Sequence, residues 1–387
     1  VTVSAEWFDR GWLSSEGRHR IELRDTPNVM AARTLLLGMS DDEALPALLV
    51  DTRIDHGIFP VGSLTREQGS LSPGLGSAIS TLSLETADGG LIKLPGKIYS
   101  QLELDGDLVS NYKLEPGSSA DLDWGAADIR IVSDTSEHRV QIEGFVESIA
   151  TTQGGASVVL RGFRINSDQT QTEVGIPVGN IELDVDSVSV DTGAGVPFRI
   201  EPARFVSTTT IDDGRLNSGG SVRFSVNGIP QMDGIGMDMQ VRLSDADAAA
   251  FGRVQAAARK MPADATPDDY LYRLEPQLKD VLAAGLSFDF ERLDIVTPQG
   301  DINAVIGVDI SESDRSNFEW ANLLLATSAN ARVQLSETII MMAQLMNPQA
   351  GQLEQFLVRK GDIYEIEAAY ERGVMTVNGV PLALPVQ

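Results

Sequence analysis

Short runs in which apolar and polar residues alternate, each closed by a turn-forming pair, recur along most of this chain and constrain its fold more than any other feature. Side chains on a strand point alternately to its two faces, whereas a helix needs a period near 3.6. From about residue 80 to 243 the period is two. Ile98, Leu102 and Leu104 alternate with polar residues up to Asp105-Gly106, a hairpin-turn pair. Further strands are expected around 129–132, 140–149 and 158–165. Over 181–186, Ile181, Leu183 and Val185 face one way and Glu182, Asp184 and Asp186 the other; after Ser187 the apolar phase moves to Val188 and Val190. That flip predicts a bulge or a change of sheet. Val222, Phe224 and Val226 lead into Asn227-Gly228, a strong two-residue hairpin signal. Residues 1–24 read as a hairpin turning at Asp9-Arg10-Gly11. Residues 30–37 form an apolar patch, and 41–49 read as one or two helical turns.

The texture changes at Ser244. An alanine-rich run with Ser244 as its cap predicts a helix over 245–260. Thr266-Pro267-Asp268-Asp269 opens a second over 267–284, closed by Gly285. Helices are also expected over 317–325 and 337–346, one or two helical turns over 353–358, and strands over 286–310 and 363–386. The fold class is therefore α+β and predominantly antiparallel β, with elongated meander sheets and a few helices concentrated after residue 244. This divides the chain into a β meander module, 1–243, and an α+β module, 244–387. Val226-Asn227-Gly228-Ile229-Pro230 recurs as Val377-Asn378-Gly379-Val380-Pro381; a common turn solution explains this more simply than a duplication.

Thirty Lys and Arg against 56 Asp and Glu give a net charge of −26. A chain this acidic repels phosphate backbones, and no basic stripe offsets it, so no nucleic-acid partner is expected. There is no cysteine, and the three histidines, His19, His56 and His138, lie far apart. Thiolate chemistry is excluded, and neither a metal nor a cofactor is expected. No nucleophile elbow, phosphate loop or His-Glu-x-x-His pair occurs. Asp105 with Asp107, Asp121 with Asp123 and Asp184 with Asp186 read as solvated acids, and Arg161, Arg164 and Arg199 as their partners in ion pairs. No catalytic residue is assigned. A strand face that is apolar must be covered by a sheet, by helices or by a ligand. On the predicted helix 337–346, Ile340, Met341, Met342, Leu345 and Met346 form the candidate apolar binding surface, methionine being adaptable in shape.

Phe8-Asp9-Arg10-Gly11-Trp12-Leu13-Ser14-Ser15 resembles the amino-terminal signature of the YdgA-like proteins, Gram-negative envelope proteins of unknown function. Leu94-Pro95-Gly96 before Leu104-Asp105-Gly106 is similar as well. So are the stretch from Leu293-Asp294 through Thr297-Pro298-Gln299-Gly300, and the closing Gly373-Val374-Met375-Thr376-Val377-Asn378-Gly379. The resemblance implies a periplasmic location, an amino-terminal inner-membrane anchor ahead of this sequence, and no known catalytic residues. The expected function is non-enzymatic: binding of an envelope protein or an apolar ligand such as lipid on a β-sheet surface or groove. The competing expectation is a periplasmic hydrolase using carboxylates or a Ser–His pair.

Overall fold

In the computed structural model of the chain, the residues described are 2–22, 47–57, 74–85, 90–119, 122–153, 155–191, 193, 197–228, 234–261, 266–315, 318–346 and 355–382. Of the described residues 67% are strand and 14% helix, which puts the α+β balance far on the β side. By contacts it separates into two units. One comprises Val1–Ser119, Trp124–Glu147 and Lys260–Tyr270; the other comprises Ala120–Asp123, Ser148–Arg259 and Leu271–Gln387.

The first unit opens with the hairpin of β1 (Thr2–Arg10) and β2 (Ser14–Glu22). The Gly11 amide donates to the Ser14 carbonyl at 2.8 Å. A Cβ on Gly11 would lie 2.4 Å from that oxygen, so no larger residue fits this turn. β3 (Ala47–His56) joins β2 to β4 (Gly76–Glu85). Residues 47–49 are thus strand, not helix: cross-strand pairing of Leu48 and Leu49 outweighs their helix propensity. The remainder of that expected helix, and the patch at 30–37, lie outside the described residues. β5 (Leu91–Lys93), β6 (Lys97–Leu102), β7 (Leu108–Leu114), β8 (Gly117–Ser119) and β10 (Ala127–Asp134) come next, while β9 (Leu122–Trp124) and β11 (Arg139–Gln153) are each divided between the two units. Asp105-Gly106 turns between β6 and β7 as expected, with Gly106 at φ +99°.

The second unit is a ladder of successive hairpins. Its strands are β12 (Ala156–Gln171), β13 (Pro177–Val185), β14 (Ser187–Asp191), β15 (Phe198–Asp212), β16 (Arg215–Asn227), β17 (Ile235–Asp247), β18 (Leu286–Thr297) and β19 (Gly300–Ile310). They continue with β20 (Thr327–Ser336), β21 (Val358–Lys360), β22 (Ile363–Glu371), β23 (Val374–Val377) and β24 (Val380–Leu382). The phase flip is a break at Asp186: β13 and β14 both pair with β12 and with β15, so the chain bulges without changing sheet. The helical turn expected over 353–358 shrinks to residues 355–356, Val358 already being strand, with 353 and 354 outside the described residues.

The two related pentapeptides do different things. Asn378-Gly379 makes a two-residue turn, at φ 49° and 77°, with Val377 opposite Val380. After Asn227, by contrast, pairing resumes only at Ile235, opposite Val226. The Asn-Gly pair there begins a longer connection rather than a tight hairpin.

The helices are α1 (Ala248–Ala258), α2 (Pro267–Ala283), α3 (Trp320–Ala326) and α4 (Glu337–Met346). Ser244 is not the cap of α1, because β17 runs on through it. Asp247 caps instead, accepting from the Ala250 amide at 2.7 Å. Burial pushes the Asp247 carboxyl up, but that amide and Arg315 outweigh it and hold it below the usual carboxylate range. α3 leads directly into β20, a strand that the sequence pattern does not announce. Among the described residues sixteen apolar residues are buried, eight of them alanine. The compact cluster in this unit is small: Ile176, Leu216, Ala246 and Ala248, with Ile211, Leu243, Phe251 and Leu286 packed against it.

Candidate functional site

Directly opposed residues of an antiparallel pair share a face, so the register can be traced across the ladder. Starting from Ile165 on β12, the pairings run Leu183, Phe205, Val222, Met239, Leu293, Ala304, Val333 and Ile366. Nine strands contribute one apolar side chain each to a single row. One residue along each strand the row reads Arg164, Asp184, Arg204, Arg223, Asp238, Asp294, Asn303, Gln334 and Glu365, on the opposite face. Those charges neutralise one another: Arg223 meets Asp238 at 2.5 Å, Arg204 pairs with Glu182 and Asp184, and Gln334 donates to Glu365 at 2.7 Å. Lys360 and Gln334 hold the Glu365 carboxyl below its ordinary value.

The back face is thus a self-compensated polar surface, and the front is apolar. In the apolar row only Ala304 is buried; Phe205 is 36% exposed and the other seven are half-buried. Among the described residues, α1 packs over one part of the second unit and α4 contacts β19 and β20.

Where α1 lies on the sheet it roofs a cavity of about 360 Å³. Phe205, Leu243, Phe251 and Phe288 supply apolar walls, while Ser207, Thr209 and Ser218 line it with hydroxyls. Gly252 lets the helix come this close, since a Cβ there would lie 2.2 Å from the Val174 carbonyl oxygen. Alternation in the sequence identifies the strands that form this cavity but not the cavity, whose walls come from seven separate elements.

The predicted surface on α4 is split by the helix. Ile340 is buried, whereas Met341, Met342 and Leu345 are 52%, 38% and 85% exposed. The side chain of Met346 lies outside the described residues. Of the three histidines, His56 meets a serine: its Nε2 is 2.8 Å from Ser15 Oγ. Ser15 is only 2% exposed, however, and among the described residues no carboxylate partners His56. An incoming carbonyl has no room at that oxygen, and the contact ties β2 to β3. His138 stands exposed at φ 52°. The paired acids are not assembled into a site either. The Asp107 amide donates to Asp105 at 3.1 Å, Asp184 and Asp186 engage Arg204 and Arg164, and Asp121 is outside the described residues. Among the described residues no group of three or more His, Asp or Glu is placed to hold a metal.

None of the described helices is long and apolar enough to cross a membrane. No curated protein and no solved structure matches the chain. A family model described as a bacterial protein of unknown function, DUF945, matches residues 1–385. With that match covering nearly its whole length, the chain belongs to the DUF945 family.

Proposed function

We propose that this protein is a non-enzymatic binder of an apolar ligand, the acyl chain of a lipid, held on the front face of the second unit's ladder. The observation that carries the reading is the nine-strand row from Ile165 to Ile366, apolar throughout, with Phe205 36% exposed and seven others only half-buried. Contiguous apolar surface left accessible to solvent marks a site of interaction. Met341, Met342 and Leu345 on α4 add an exposed apolar surface of adaptable shape. A periplasmic location behind an amino-terminal anchor, and contact with an envelope protein, belong to the same proposal and rest on the resemblance carried by Phe8 to Ser15.

The test is titration with diphenylhexatriene, a neutral hydrocarbon that fluoresces on leaving water. Saturable binding is expected, weakened at least tenfold by Phe205→Asp with Met239→Asp. Absence of saturable binding by the unaltered protein would overturn the reading.

A further inference from the structure

The apolar row has a neighbour. Two residues along each strand, and so on the same face, the register sets Val185 on β13 opposite Ala203, followed by Phe224, Met237, Ile295, Ile302, Leu335 and Tyr364 in turn. All eight are half-buried. Of the whole chain 22% is charged, yet none of the seventeen positions in the two rows is. The pair of rows is bounded on both sides. Toward α1 the next positions on this face are Ser207, Gly220 and Val241, which line the cavity beneath that helix. Away from α1 they are Ile235, Thr297 and Gly300, where β17 begins, β18 ends and β19 begins. Between these limits the apolar face is two rows wide.

We infer that the proposed site takes a two-chain lipid, one acyl chain on each row, rather than a single-chain amphiphile. The inference rests on the acyl-binding reading given above and adds to it the number of chains. The rows stand two residues apart, about 6.8 Å. Two hydrocarbon chains, whose carbons approach to about 3.5–4.0 Å, therefore lie side by side on them without conflict. Both partners are uncharged where they meet, so no charge is stripped of water when hydrocarbon covers the rows. A lone chain settles on the first row, which spans nine strands to the second's eight and carries Phe205, the most exposed side chain of the two rows. That leaves the second row in water. A second chain covers it, and the gain grows with the apolar area removed from solvent.

Met239 and Met237 lie on the first and second rows, two residues apart on β17, and the chain has no cysteine. Met239→Cys and Met237→Cys, each made alone in the full chain, can therefore be labelled with acrylodan, whose emission moves to the blue on leaving water. The ligands are dioctanoyl phosphatidylcholine and palmitoyl lysophosphatidylcholine, which share a head group and a total of sixteen acyl carbons, each kept below the concentration at which it aggregates. The two-chain lipid is expected to shift both labels to the blue over the same concentration range, and the one-chain lipid to shift only the Met239→Cys label. A Met237→Cys label that answers both lipids alike, or neither, while the Met239→Cys label responds, overturns the two-chain assignment and leaves the acyl-binding reading standing. If neither label responds to either lipid, both readings fall. Leu293→Cys and Ile295→Cys give the same comparison of the two rows on β18, should a β17 variant fail to fold.

Discussion

Replacing Gly252 by alanine sets two effects of opposite sign against each other. Glycine inside a helix is worse than alanine by roughly 0.5–1 kcal/mol, so propensity alone predicts that the change stabilises α1. Packing predicts the reverse. The new Cβ would sit 2.2 Å from the Val174 oxygen, against the 3.4 Å at which ordinary contact begins. Helix or turn must therefore retreat by more than an ångström. The turn resists, because the Gly175 amide donates to the Thr172 carbonyl at 2.9 Å and the Thr172 hydroxyl to the Ile176 carbonyl at 2.7 Å. Overpacking of this kind costs about 1–3 kcal/mol. The net expectation is a local destabilisation of about 1–2 kcal/mol, a factor of roughly 5–30 in the opening equilibrium. Hydrogen exchange of the α1 amides reads this directly, with β6 in the other unit as the internal control. Slower exchange in Gly252→Ala than in the unaltered chain would show that the helix is not held against the Val174 turn, and the reasoning about the roof of the cavity would fall with it.

Leu216→Ala removes about three methylene equivalents from a residue only 2% exposed, for a loss of about 2.5 kcal/mol. Because Leu216 also lines the α1 cavity, the space joins an existing void, and urea unfolding should place the cost toward the low end of the ~2–5 kcal/mol seen for such truncations. Asp247 has its carboxyl held below the unfolded value, so the stability it lends is complete above the unfolded pKa of about 3.9 and is lost as pH falls through the lower folded value. Exchange of the α1 amides should be unchanged in relative protection down to about pH 5 and lose protection below about pH 4; Asp247→Asn should flatten that acid dependence.

How much of the structure is legible in the sequence differs from element to element. Alternation locates most strands, and it locates the face change at Asp186, because one-sided burial writes itself into the side-chain period. β20 escapes it although its residues alternate faultlessly, since Ala329 and Ala331 occupy apolar positions where β-branched residues would have signalled a strand. Asn227-Gly228 and Asn378-Gly379 read alike, and only the second closes a tight hairpin. The turn is decided by where the next strand finds its register, and the dipeptide does not carry that information. The apolar row is out of reach for a related reason. Every one of its nine residues is visibly apolar, but which residue stands beside which depends on pairing partners up to dozens of positions away.

Counted in strands rather than residues, the apolar row is a ruler. Neighbouring strands lie about 4.8 Å apart, so nine of them set out a track of roughly 38 Å, longer than the ~30 Å hydrocarbon thickness of a bilayer. Along the track each strand pairs with the next. Inserting or deleting one hairpin would therefore change the track by about 10 Å and leave every other pairing as it was. The compensating charges on the reverse side travel with each strand, so such a change in length brings its own solubility with it.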